Sequence, residues 1–161
     1  MSKEFVDSLV EMEGILKENT IGWLGMSVDG KPYVVPLNYA YIDGRILVHC
    51  ALEGRKLDAI RANPEVCFAV GRQVGEVRRH FGSAVCHPDN DSVLCFGRAR
   101  ILEEYAEKAA ALNAFNRAFE PKSADLPEKS ARACGVVEIA IREMTGRREV
   151  ARKRTLWQHV F

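Results

Sequence analysis

Apolar side chains recur at helical spacing over residues 2–18, at Phe5, Leu9, Met12 and Leu16, with charged positions between them. This predicts an amphipathic first helix, ended by Asn19 and Thr20. Three runs rich in β-branched and aromatic residues follow at 21–28, 32–42 and 45–50, separated by Asp29-Gly30 and Asp43-Gly44. A tight primed turn needs positive φ at its two central residues, which Gly adopts freely and Asp tolerates. Two such turns in succession predict a three-stranded antiparallel meander.

A short helix is predicted over residues 54–62, stopped by Asn63-Pro64 because the residue before proline avoids helical angles. A strand at 66–70 precedes a polar, poorly periodic stretch at 71–91 that reads as a long loop or flap. Strand character returns at 92–102, and a helix at 104–119 places Leu112, Phe115 and Phe119 on one side. Pro121 and Pro127 frame another loop. The last clear strand, 135–141, puts Val137, Ile139 and Ile141 on one face and Glu138 on the other, and a basic tail follows. Six or so strands, mostly hairpin-linked, with three helices at the margins predict a mainly β fold with flanking helices: an antiparallel barrel in one domain, residues 1–161.

The 23 Lys and Arg against 22 Asp and Glu leave a formal charge of +1, so composition gives no reason to expect nucleic acid or an anionic membrane as partner. Any anion site must be local. The opening residues Met1 to Phe5 lack the apolar stretch of a signal peptide, and no window approaches a membrane span, so a cytoplasmic location is expected. The cysteines (50, 67, 86, 95, 134) are odd in number and contain no C-x-x-C pair, which argues against a disulfide framework and for a reducing compartment. His80, Cys86 and His87 lack the paired spacing of a zinc site, and no metal is expected.

The stretch from Leu47 to Pro64 is electrostatically odd. A helix N-terminus carries partial positive charge, so Arg55 and Lys56 in its first turn are unfavourable unless an anion sits there. A phosphate resolves the conflict; the alternative is two side chains pointing into water at a frayed helix start. His49 and Cys50 are strand neighbours on opposite faces, so they do not form a reactive pair, and Cys50 reads as a packing residue. Trp23 is most simply core, and the basic residues Arg147, Arg148, Arg152, Lys153 and Arg154 read as a solvated or interfacial tail.

The segments Gly22 to Ser27, Asp29 to Tyr39, His49 to Lys56, Asn63-Pro64 and Ser92 to Ala99 recur in the order found in the pyridoxamine-phosphate-oxidase-like flavin-binding split barrels. Within these, the chain resembles the nitroimidazole-resistance (nitroimidazole-reductase-like) branch, and Val137 to Ile139 with Thr145-Gly146 resembles the final strand. The resemblance implies a split β-barrel that binds flavin mononucleotide (FMN) between the subunits of a homodimer. By the same likeness, Val35, Pro36, Leu37, Asn38 and Tyr39 lie along the flavin ring, His49, Cys50 and Ala51 approach the ring and ribityl chain, and Arg55 and Lys56 hold the phosphate. Ser92 and Val93 match a strand start near the cofactor, and partner-subunit residues close over the ring. Residues 147–161 do not match the pattern; Trp157 is expected as an aromatic contact across the interface.

The expected function is that of a flavin-dependent oxidoreductase passing electrons to a small electron-poor acceptor, a nitro compound or quinone, with His49 donating a hydrogen bond or proton to the substrate. The alternative is a non-enzymatic haem or flavin carrier or redox sensor, with His49 or His159 as axial ligand to haem. Pyridoxamine phosphate oxidation itself is not implied, since that substrate's phosphate needs further cationic side chains.

Overall fold

The computed structural model describes residues 7–75, 88–150 and 153–161. In chain order the elements are α1 (Leu9–Glu18), β1 (Ile21–Val28), β2 (Lys31–Asn38), β3 (Ala40–Ile42), β4 (Arg45–Cys50) and α2 (Arg55–Ala62), then β5 (Glu65–Gln73), β6 (Asn90–Ile101), α3 (Tyr105–Phe119), α4 (Glu128–Arg132), β7 (Gly135–Val150) and β8 (Lys153–Val160). Both Asp-Gly pairs make the turns their chemistry predicts: Asp29 and Gly30 have φ of 51° and 73°, Asp43 and Gly44 of 49° and 75°.

The two hairpins do not form a meander. The run at 32–42 breaks at Tyr39, so that β2 pairs with β1 while β3 pairs with β4. In the sheet order β2-β1-β5-β6-β7-β4-β3 they stand at opposite ends, with β8 added on β7 and every pairing antiparallel. The sheet curls until β2 approaches β4. The result is the split barrel with flanking helices.

Its interior is filled by one side of the strands, including Leu24, Phe68, Val93, Ile139 and Met144, and by Met12, Ile15 and Leu16 of α1, all almost fully buried. Leu57 and Ile60 of α2 join this core. Helices α3 and α4 lie on the outer surface, where Phe115 covers Ala40 and Leu47, and Leu112 covers Leu102 and Val136. Of the side that the sequence marks as apolar, α3 therefore buries Leu112 and Phe115, while Phe119 at its last turn stays 47% exposed.

The C-terminal half departs furthest from expectation. β7 does not stop at Ile141 but continues to Val150, and the supposed tail returns as β8. A register shift between Phe96 and Gly97 lets β7 follow β6 along its whole length. Trp157 is buried under the guanidinium of Arg148, 5.1 Å from its ring, so it is core and not an interface contact. Trp23, by contrast, is 42% exposed, because Gly22, Leu24 and Met26 occupy the inward phase of β1. The strands flanking the expected 71–91 loop run to Gln73 and from Asn90; His80, Cys86 and His87 lie outside the described residues. None of the described helices is long and apolar enough to cross a membrane.

Candidate functional site

The chain leaves β4 at Cys50 and enters α2 through Gly54, whose φ of 130° and ψ of 166° suit only glycine. Among the described residues, no side chain caps the helix. The first returning bonds are Leu57 N–H and Asp58 N–H to the Gly54 carbonyl, at 2.9 and 3.2 Å. This places the start of α2, with its outward-pointing amides, at the surface.

Arg55 and Lys56 leave this turn in different directions. The Arg55 guanidinium lies over the Tyr33 ring at 4.3 Å, at the mouth of a cavity of about 340 Å³ between α2 and the β1–β2 turn. Lys31, Asp29 and Asp58 share that cavity's rim. Lys56 turns instead to the Cys50 thiol; burial pushes that thiol up from its ordinary pKa, against the opposing pull of the Lys56 ammonium. Among the described residues, neither Arg55 nor Lys56 has a carboxylate at ion-pair distance.

In β2 the alternation sends Tyr33, Val35 and Leu37 toward the core and leaves Val34, Pro36 and Asn38 exposed. Asn38 Nδ2 donates to the Thr20 carbonyl at 3.2 Å. Tyr39 is buried; its hydroxyl donates to the Leu16 carbonyl at 2.7 Å and its ring meets Phe68 edge-on at 4.9 Å. Burial raises the Tyr39 pKa, so the phenol stays protonated and ties α1 to the sheet.

His49 is exposed on the side of β4 that carries α3, with its ring edge-on to Phe115 at 4.8 Å, while Cys50 packs against the barrel core. Ala51 is exposed in the segment leading to α2, and its carbonyl lies close to Gly135. Ser92 and Val93 start β6, paired with Gly71 and Val70. β1 and β5 separate β6 from β2, roughly 14 Å along the sheet at the usual strand spacing. Val93 is core; Ser92 faces outward. One chain thus brings together Tyr33, Arg55 and Lys31, and keeps His49 and Ser92 apart from them.

The outer face of β2-β1-β5-β6 is apolar. Pro36, Trp23, Ala69 and Leu94 form one cross-strand row, and Val34, Gly25, Cys67 and Phe96 the next. Val34 is 59% exposed. Burial raises the Cys67 thiol pKa. The sequence signal for this face is β1 itself, where Ile21 and Trp23 alternate with Leu24 and Met26, so that both sides are apolar. Tyr33 and Lys31 carry no such signal, because only the approach of α2 gives them a role.

The pyridoxamine 5'-phosphate oxidase family matches residues 10–148 of the chain. A candidate 5-nitroimidazole antibiotic resistance protein from Bacteroides thetaiotaomicron superposes with a TM-score of 0.76 at 24% identity, over 88% of this chain and 84% of that one. An FAD and haem binding protein from Mycobacterium smegmatis gives 0.73 at 18% identity, over 84% of this chain and 67% of its own. These likenesses show the fold. A Rhizobium meliloti protein of uncharacterised function is 32% identical over 66 residues, a match spanning 40% of this chain and 42% of that protein.

Proposed function

The chain belongs to the pyridoxamine 5'-phosphate oxidase family, and from that premise we propose that it is a flavoprotein: it holds the flavin mononucleotide unit by its phosphate at the first turn of α2 and, as a homodimer, reduces a small electron-poor acceptor such as a nitro compound or quinone. The observation that carries this reading is the Arg55 guanidinium, without a carboxylate partner among the described residues, at the uncapped start of a helix that follows Gly54. Backbone amides and a guanidinium converging at one surface turn fit a phosphate monoester. Solved structures of the same fold include an FAD and haem binding protein, which supports flavin as the class of cofactor.

When bound, the flavin supplies the electron chemistry. The protein's own part is to hold and exclude. Arg55, braced on Tyr33, anchors the phosphate, and Lys56 adds charge from the Cys50 side. Val35 and Leu37 give the inward side of β2 an apolar surface, while Pro36 and Asn38 lie on its outer side. His49 faces α3 and lies away from the α2 turn within one chain, so no proton transfer is assigned to it.

The proposed dimer packs through the outer face of β2-β1-β5-β6. An apolar patch spread over four strands is costly in water, and a second copy of the same face would cover it. Pro36, Asn38 and Ser92 all stand on that face, which is how residues separated within one chain come to share an interface site. Trp23→Glu is expected to give monomers by sedimentation while the fold remains intact; a dimer that survives this change removes the proposed interface.

The test of the cofactor is the visible spectrum of purified protein, identification of the released chromophore, and the same measurement on Arg55→Ala/Lys56→Ala. Flavin present in the wild type and lost in the double variant supports the reading, and a protein that cannot be loaded with any flavin overturns it. Turnover is tested with reduced nicotinamide cofactors and a panel of nitro compounds and quinones. The same spectrum tests the haem reading, for which His159, its Nδ1 against Asp7 at 3.0 Å, would offer Nε2 as axial ligand.

A further inference from the structure

We propose that the cavity beneath α3 is a second ligand site, suited to a small aliphatic amine in its ammonium form. It shares no residue with the α2 turn, so it stands apart from the flavin reading.

The cavity arises from the way α3 rests on the sheet. Leu112 packs on Leu102 and Val136, and Phe115 on Ala40 and Leu47, which fixes the helix there. Beside them, Ala110, Ala111 and Ala114 are too short to close the gap to Ile42 and Leu47, and a volume of about 250 Å³ is left. Drug-sized ligand clefts start at roughly 300 Å³, so the ligand is small; about eight groups the size of a water molecule would fill the space. Along α3 the lining runs from Glu107 to Ala114, roughly 10 Å at the helical rise, from a charged end to an apolar one.

Charge decides what binds. Glu138 on β7 is buried, its side chain 11% exposed, and accepts from Arg45 at 2.7 Å and from Arg100 at 2.8 Å. Arg100 also donates twice to Glu107, at 3.0 and 2.6 Å. The charge of both guanidiniums is thus balanced within the protein. Asp43, exposed on the β3–β4 turn, lines the same cavity and has no ion-pair partner among the described residues. With three carboxylates against two guanidiniums, the wall keeps one negative charge in excess. An anion would meet cations already neutralised, whereas an ammonium group finds Asp43 free and unused acceptor positions on Glu138 and Glu107.

A buried carboxylate loses hydration that its ion pairs offset only in part, and an apolar residue opposite Leu47 would pack there without that loss. Its presence beside a cavity is what a cation-binding wall requires. The cation is organic and not a metal ion, since among the described residues no group of three His, Cys, Asp or Glu side chains is placed to hold a metal. An ammonium group meets the charged end, and a short carbon chain behind it lies along the alanines.

The experiment is titration of the protein as purified with n-pentylamine, pentanoate and 1-pentanol at neutral pH, followed by two-dimensional amide NMR. The amine is expected to shift amides of α3 and of the β3–β4 turn, and to bind at least about tenfold more tightly than either analogue. Asp43→Asn, which keeps a residue tolerant of the positive φ at that turn, is expected to weaken the amine about tenfold. Ala114→Leu, which fills the apolar end, is expected to abolish binding. Equal or tighter binding of pentanoate overturns the inference in favour of an anion site at Arg45. Equal binding of all three overturns it as well, because only a hydrophobic crevice would remain. Amine affinity unchanged in Asp43→Asn does the same, even if Ala114→Leu fails to fold, and so does the lack of any saturable shift up to about 20 mM amine. None of these outcomes touches the flavin reading.

Discussion

Arg72 and Arg148 on one side of the barrel, and Arg55 with Lys31 on the other, carry the same charge in opposite circumstances. Arg72 meets both oxygens of Asp91, at 2.9 and 3.2 Å, and also pairs with Glu18. Arg148 reaches Asp91 at 3.0 Å and Glu11 at 3.1 Å. The Asp91 side chain is fully buried between them, so α1, β5, β6 and β7 are joined through one carboxylate. Among the described residues, Arg55 has only the Tyr33 ring beneath it, and Lys31 borders a cavity. Cations whose partners come from the protein itself hold structure together; cations left without partners at a concave surface are available to a ligand.

The contrast breaks first at Asp91. Asp91→Ala removes the buried carboxylate that the two guanidiniums share, leaving them only the exposed Glu18 and Glu11, and is expected to lower stability by about 3–5 kcal/mol, read from urea unfolding. If the loss is within about 0.5 kcal/mol, the cluster is no more than surface decoration. Arg55→Ala/Lys56→Ala should behave in the reverse way, with stability unchanged within about 0.5 kcal/mol and flavin affinity lowered about 100-fold. Equal loss of stability in both variants would erase the distinction between the two sides.

Gly54→Ala comes next, because a φ of 130° is closed to a residue with Cβ. Holding alanine in that conformation should cost about 1–3 kcal/mol, and any relaxation turns the first amides of α2 away from the phosphate, so calorimetry and flavin titration should fall together. The smallest effect is a pH dependence on the structural side. Glu104 accepts from the Ala106 and Glu107 amides at 3.0 and 2.8 Å, and these bonds hold its pKa below the ordinary 4.5. Glu149 is held low by Arg147 and then Arg154, despite burial. A carboxylate depressed in the folded state stabilises it fully above the unfolded value and loses that contribution as pH falls toward the folded one. The wild-type Tm should therefore decline below about pH 4.5, and Glu104→Gln should flatten part of that decline.

The comparison also separates what the amino-acid order reveals from what it hides. Arg55 and Lys56 stood out because the oddity is local: two cations in the first turn of a helix, one residue past a glycine. Arg148 reads as part of a solvated tail because its partners are remote. Arg148 meets Asp91 57 positions away and Glu11 137 positions away, and no periodicity within a window can register such pairs. Trp23 and Trp157 exchanged their expected roles for a related reason. Each sits in an alternating strand, and which phase faces inward depends on what lies on either side of the sheet.

From the order of residues alone came the two Asp-Gly turns, β1 and β4 at their exact limits, the stop at Asn63-Pro64 and the basic start of α2, all of which depend on backbone preferences over a few consecutive residues. Tertiary structure alone decided that the run at 32–42 divides at Tyr39, whose hydroxyl and ring are claimed by Leu16 and Phe68. It also decided that the two hairpins part to opposite ends of one sheet, and that Tyr33 and Lys31 meet α2 across a cavity. These follow from burying one side of a curled sheet around α1 and α2, a constraint acting on the whole chain at once and therefore absent from any short stretch of it.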